Sequence, residues 1–186
     1  MRKEPGPPRL FVALPLPEPV TEALSGIRPS PRDGVRPVDA TDMHLTLHFL
    51  GRRDVEPVSR ALAGVRHPAF ALRLGRPGHF SLPGRKAILW VGIEPSDELV
   101  GLHRATAEAL ATVGFAAETR PYRPHVTVAR MSSRLPETLV DTIEAGLAGP
   151  DSVEFGCSRF ALYQSETHPE GARYRVLEPF PLLPRD

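Results

Sequence analysis

The sequence predicts an α+β protein with a bilobal, duplicated fold, in which two antiparallel sheets line a central cleft and helices cover the outer faces. Three observations carry this expectation. The ordered tetrapeptide His, apolar, Thr, apolar occurs twice, in HLTLHFLG (44–51) and in HVTVAR (125–130), once in each half of the chain. Strand-like and helix-like segments divide near residue 92 into two lobes of similar plan, each holding one copy. The chain has 186 residues, 41% hydrophobic and 24% charged, which suits one well-buried unit and is too short for two large independent domains.

The elements follow in order. Residues 1–8, with Pro5, Pro7 and Pro8, read as a flexible leader, and 9–186 as a single bilobal domain. RLFVAL (9–14) has the content of a short buried strand. Val20, Ala23, Leu24 and Ile27 recur at helical spacing over 18–27, and Pro29 and Pro31 stop that helix. HLTLHFL is a strand ended by Gly51. A helix over 55–65 carries Val58, Ala61, Leu62 and Val65 on one face. FALRLGRPGHF (70–80) and KAILWVGI (86–93) are paired strands joined through Pro83 and Gly84. The longest helix, 97–113, is capped by Ser96 or Asp97. It buries Leu99, Leu102, Ala105, Ala109, Leu110 and Val113, and ends at Gly114. After HVTVAR come a helix over 136–147 and two strands, 153–166 and 172–182.

Composition narrows the function. A net charge of +1 lacks the basic excess of a protein that grips long duplex nucleic acid through its phosphates, so an anionic partner is met locally. Lys3 and Lys86 are the lysines and every other basic residue is Arg, a skew that genomic base composition or phosphate recognition can produce. The single Cys157 excludes an internal disulfide and a multi-cysteine zinc site, and fits a reducing compartment. The apolar run 10–14 is too short for a signal-peptide core, and no later run approaches a membrane span. A cytoplasmic monomer without membrane attachment is expected.

In a strand, alternate side chains share a face, so His44 and Thr46 face one way while Leu45 and Leu47 anchor the other. His125 and Thr127 part from Val126 and Val128 in the same manner. Two facing imidazoles suit acid–base catalysis near neutral pH, because the ordinary His pKa of about 6.5 leaves both protonation states accessible. The two hydroxyls can donate to phosphoryl oxygens, and Arg130 adds charge and planar geometry for an anion. The set has the chemistry of a metal-free phosphodiester site.

These residues resemble the two-histidine phosphoesterase superfamily, and within it the RNA 2',3'-cyclic phosphodiesterases, also called 2'-5' RNA ligases. The stretches that carry the resemblance are RLFVAL, HLTLHFLG, LRLGRPGHF, AILWVGI, the GF before RPYRPHVTVAR, and LYQSE followed by RY. The resemblance implies a bilobal fold with both HxTx strands in a central groove, no metal and no other cofactor. It implies an RNA substrate with a 2',3'-cyclic phosphate terminus and a 2'-phosphomonoester product. By position, His44 is the general acid and His125 the general base, while Thr46, Thr127 and Arg130 bind the phosphate. Phe11 and Phe80 are offered as base-stacking rings, and Arg85 and Lys86 as contacts to the RNA backbone.

His48 shares the face of His44 if the strand stays regular, but an i,i+4 metal pair is a helical arrangement and no third ligand is fixed nearby. His67, His79, His103 and His168 have no repeated context, so local roles are expected of them. Two other readings stay open: a non-catalytic module that binds phosphorylated nucleotides or RNA ends, and a phosphodiesterase acting on 2'-5' oligoadenylate, ADP-ribose cyclic phosphate or another small cyclic phosphate.

Overall fold

The protein is described by a computed structural model, which covers residues 6–31, 34–116, 118–132, 137–147, 153–168 and 171–185. Four helices lie among them: α1 (Glu18–Ile27), α2 (Val55–Leu62), α3 (Asp97–Ala111) and α4 (Glu137–Leu147). The strands are β1 (Arg9–Pro15), β2 (Val35–Pro37), β3 (His44–Arg52), β4 (Phe70–Leu82), β5 (Lys86–Ile93), β6 (His125–Met131), β7 (Glu154–Cys157), β8 (Arg159–His168) and β9 (Gly171–Pro181). All nine pair antiparallel, in the order β7-β4-β5-β6-β3-β1-β8-β9, with β2 beside β6. The fold is α+β.

Two features of this sheet differ from the expected pair of sheets. The strands form one connected path, because β3 and β6 meet at a single pair, Leu45↔Val126. They separate there because the chain leaves β6 after β2 and makes a 3₁₀ turn, Ala40–Asp42, before β3 begins. The sheet therefore has two wings on either side of this seam, and neither wing is one half of the chain. The β4–β5 hairpin, from the first half, extends the His125 wing, while β8 and β9, from the second half, extend the His44 wing. This exchange sets both HxTx strands side by side at the centre.

The remaining differences are local. The expected strand over 153–166 breaks at Ser158, where the chain passes from one wing to the other: β7 pairs with β4, and β8 with β1. The N–H of Leu182 donates to the Ser158 carbonyl at 2.9 Å, and that of Ala69 to Leu183 at 2.8 Å, so the sheet ends meet at this corner. In the leader, residues 1–5 lie outside the described residues. The Pro7 carbonyl accepts from Arg52 at 2.8 Å and the Pro8 carbonyl from the N–H of Arg53 at 3.1 Å, so ordered contacts begin before Arg9.

The helices cover one face of the sheet. Val20 and Leu24 of α1, Val58 and Leu62 of α2, Leu99, Leu102 and Leu110 of α3, and Ile143 of α4 pack with Leu10, Val12, Leu14, Leu45, Val91 and Val126 from the strands. Each fully buried side chain of this kind contributes about 1.5–3 kcal/mol. The opposite face carries Phe11, Ala13, Ala161 and Tyr163, and it forms the groove. Ser96 caps α3, accepting from the N–H of Leu99 at 3.1 Å, and Gly114 closes it with φ +74°. Thr106, a polar residue within the apolar stripe of α3, is fully buried because its hydroxyl donates to the Leu102 carbonyl at 2.8 Å.

Candidate active site

Both HxTx strands carry the same irregularity. The β1–β3 register steps from Val12↔His48 to Ala13↔Thr46, leaving Leu47 as an extra residue. In the β5–β6 register, Leu89↔Ala129 is followed by Trp90↔Thr127, leaving Val128 extra. Each motif therefore bulges at its fourth position, and the alternation of faces shifts by one beyond it. In a regular strand Arg130 would face away from Thr127; the bulge returns it to the groove beside His125 and Thr127. The equivalent bulge sends His48 to the helix side, opposite Val12, so it does not share the face of His44. In the His44 strand, the position matching Arg130 is Phe49, which is 63% exposed.

The two imidazoles are held alike. Nδ1 of His44 lies 2.7 Å from the Asp42 carbonyl, and Nδ1 of His125 lies 2.7 Å from the Arg123 carbonyl, two residues upstream in each case. A carbonyl only accepts, so Nδ1–H donates and the neutral ring keeps its lone pair on Nε2. Local sequence places these carbonyls. Asp39 accepts from the N–H of Thr41 at 3.0 Å and from its hydroxyl at 2.8 Å, fixing the 3₁₀ turn that carries Asp42. Pro124 confines Arg123 to extended backbone before His125.

Aromatic rings hold each imidazole in place. The ring of Phe11 lies 4.8 Å from that of His44, and Tyr174 meets it edge-on at 4.9 Å. Phe80 meets His125 edge-on at 5.0 Å, and Trp90 lies 5.9 Å away. Gly78 is required beneath Trp90, since a Cβ there would stand 2.4 Å from the indole. Burial lowers the pKa of His44 to about 4, with the positive charges of Arg130 and His125 adding to the effect and the Asp42 carbonyl opposing it. Burial lowers that of His125 too, again with help from Arg130. The lowered pKa values favour the neutral form of both rings at pH 7.

Thr46 and Thr127 are half-buried on the same face as their histidines, and among the described residues neither hydroxyl has a protein partner. Phe11, offered by the sequence as a base-stacking ring, is only 2% exposed: Tyr163 stacks on it at 4.9 Å, so it supports His44 and presents no face to a base. Phe80 is half-buried against His125, and Lys86 is exposed at the tip of the β4–β5 hairpin. The Arg85 side chain lies outside the described set. No cluster of three or more metal-ligating side chains occurs among the described residues.

Sequence reasoning missed Tyr122, which ties the motifs together. Its hydroxyl donates to the Thr46 carbonyl at 2.9 Å, joining the loop before His125 to the other HxTx strand. Its ring stacks on His103 at 4.0 Å, and His103 stacks on the buried His48 at 4.3 Å. The signal was present as the Tyr inside RPYRPH. Tyr122→Phe is expected to cost about 1 kcal/mol of stability and to lower kcat about fivefold, with the His44 and His125 rings unchanged; urea unfolding and steady-state kinetics check this.

Comparison with known proteins places this geometry. A family profile described as the 2'-5' RNA ligase superfamily matches residues 16–169. The chain is 34% identical to the RNA 2',3'-cyclic phosphodiesterase of Thermus thermophilus over 94% of its own length and 90% of that protein's. It is 31% identical to the Escherichia coli protein of the same name, with coverages of 92% and 95%. Two solved structures superpose closely. E. coli LigT complexed with 3'-AMP gives a TM-score of 0.75 at 28% identity, covering 95% of this chain and 98% of that one. TT0787 of T. thermophilus gives 0.76 at 29%, covering 96% and 100%. With its paired motifs set at the seam of one sheet and more than nine-tenths of its length matched by these relatives, the chain belongs to the 2'-5' RNA ligase superfamily.

Proposed function

We propose that this protein hydrolyses RNA 2',3'-cyclic phosphate ends to 2'-phosphomonoesters without a metal ion. The observation that carries the reading is the matched pair of imidazoles, each anchored through Nδ1 to a carbonyl two residues upstream and each beside a threonine hydroxyl that has no protein partner among the described residues. The names of the relatives, RNA 2',3'-cyclic phosphodiesterase, support the same substrate.

The chemistry follows from the tautomers. Nε2 of His125 takes a proton from water as the water oxygen bonds to phosphorus. The bond from phosphorus to the 3' oxygen breaks, and His44 gives that oxygen its proton. His125 ends protonated and His44 neutral, and exchange with solvent restores the starting pair. General acid–base transfer of this kind contributes about 10²- to 10⁴-fold. Thr46, Thr127 and Arg130 donate to the non-bridging oxygens, an interaction that strengthens as charge develops. Bound phosphate brings a negative charge that offsets Arg130, raising the pKa of His44 so that it can hold the proton it delivers. The 5'-hydroxyl of another RNA end in place of water would yield a 2'-5' linkage by the same step.

The test is incubation with a short RNA ending in a 2',3'-cyclic phosphate, in chelator, followed by identification of the terminal phosphate. A 2'-phosphate is the expected product. A 3'-phosphate would reverse the assigned leaving oxygen and with it the two histidine roles. An unchanged end would transfer the reading to a small cyclic phosphate or to binding without turnover.

A further inference from the structure

Beside the histidine pair is a pocket of about 340 Å³ that shares Arg130 with the reaction just described. Its wall includes Tyr174, whose ring touches His44, and Asp42, whose carbonyl holds that imidazole. Arg130 opens into it from the catalytic side, and Arg28, Arg36 and Arg173 are among its other lining residues. The pocket therefore begins where the terminal phosphate would end.

Its electrostatics are unusual. Arg36 of β2 is the direct cross-strand partner of Arg130 in β6, so the two side chains leave the sheet on the same face, and both line this pocket. Like charges placed this way repel and destabilise a sheet pair. Among the described residues neither has an ion-pair partner. The pocket's two carboxylates are otherwise engaged: Asp42 lies 3.5 Å from Arg173, and Asp39 accepts from Thr41. Arg28 is turned toward the pocket wall by donating to the Val38 carbonyl. An anion between Arg36 and Arg130 would relieve the repulsion, and the planar guanidinium fork matches phosphate geometry.

We propose that this pocket is a second phosphate subsite, which takes the phosphate on the 5' oxygen of the terminal nucleotide while the cyclic phosphate sits between His44 and His125. This deepens the hydrolytic reading and rests on it. The ligand is a monoester or the diester of a longer chain, and in both the recognised group is the 5' phosphate. The substrate class becomes the phosphorylated nucleotide end, with a bare nucleoside cyclic phosphate as the poor substrate.

The experiment compares three probes: adenosine 2',3'-cyclic phosphate, the same compound with a 5'-monophosphate, and a dinucleotide with a cyclic end. For the wild type, kcat/KM is expected to be about tenfold or more higher for both 5'-phosphorylated probes, with the gain in KM. The added phosphate should steepen the salt dependence of log kcat/KM by about 0.7. Arg36→Ala should bring the ratios close to one, and Arg36→Lys should restore part of the gain. Equal rates for all three probes would overturn the subsite, as would a gain for the dinucleotide alone or a gain that survives Arg36→Ala. If the wild type turns over no probe, hydrolysis fails, and calorimetry with AMP and adenosine then judges the subsite. Tighter binding of AMP that Arg36→Ala abolishes upholds it; equal binding of both overturns it.

Discussion

His44→Ala and His125→Ala are each expected to lower kcat/KM on a cyclic-phosphate RNA end by about 10²- to 10⁴-fold, with the double variant falling little further. In the proposed reaction the two rings act on one step, one taking a proton as the other gives one, so removing either would disable the pair. Both sit on the groove face, outside the apolar layer between sheet and helices, so far-ultraviolet circular dichroism should be unchanged. The pH profile is the more specific check. The proposed reaction needs a free form with one ring protonated and the other neutral, so kcat/KM is expected to follow a bell whose two limbs are the free-enzyme pKa values. Burial and Arg130 lower both, that of His44 to about 4, and the maximum should therefore lie below pH 6.5. The kcat bell should lie higher, because bound phosphate favours the charged imidazole. Each Ala variant should lose one limb. Wild-type activity in either variant, or a kcat/KM maximum above pH 7, would reject the assigned pair.

The second large effect is acid lability centred on His48. This ring is 5% exposed, donates through Nε2 to the His103 carbonyl at 3.0 Å, and has a pKa lowered to about 4 by burial and by the neighbouring His103. Above pH 6.5 the ring is neutral in folded and unfolded chains, and the native contacts are complete. Between pH 6.5 and about 4 the unfolded chain takes up a proton that the folded chain refuses, so stability falls as pH falls. The loss from this residue alone amounts to about 3 kcal/mol by pH 4, and His44 adds to it in the same direction. Urea midpoints measured from pH 7 to pH 4 should decline over this window, with a shallower decline in His48→Leu. An identical slope in that variant would show that His48 is not the group responsible.

Much of the fold was legible because its signals are local. The helix over 18–27 and the strand over 86–93 fall where apolar spacing placed them, since a period of 3.6 or 2 is written in consecutive residues. The break at Ser158 was not legible, because apolar residues run across it and only the different partners of β7 and β8 separate the strands. Three-residue β2 has no periodicity to read, yet it brings Arg36 to Arg130. The bulges at Leu47 and Val128 were hidden as well. The alternation rule predicted the wrong face for His48, and would have turned Arg130 away from the groove, because a bulge is set by the partner strand's register.

Sequence alone determined that the chain carries two equivalent His and Thr pairs on amphipathic strands, and it tied the apolar members of those motifs to a core. Side-chain alternation is a local geometric property, so four residues suffice to state it. Only the tertiary structure decided which partners surround those residues. The exchange of hairpins between wings puts both motifs at one seam, the carbonyls of Asp42 and Arg123 choose the tautomers, and burial beside Arg130 lowers the pKa of both rings. These depend on residues far apart in the chain, and on a dielectric environment that exists only once the sheet has closed around them.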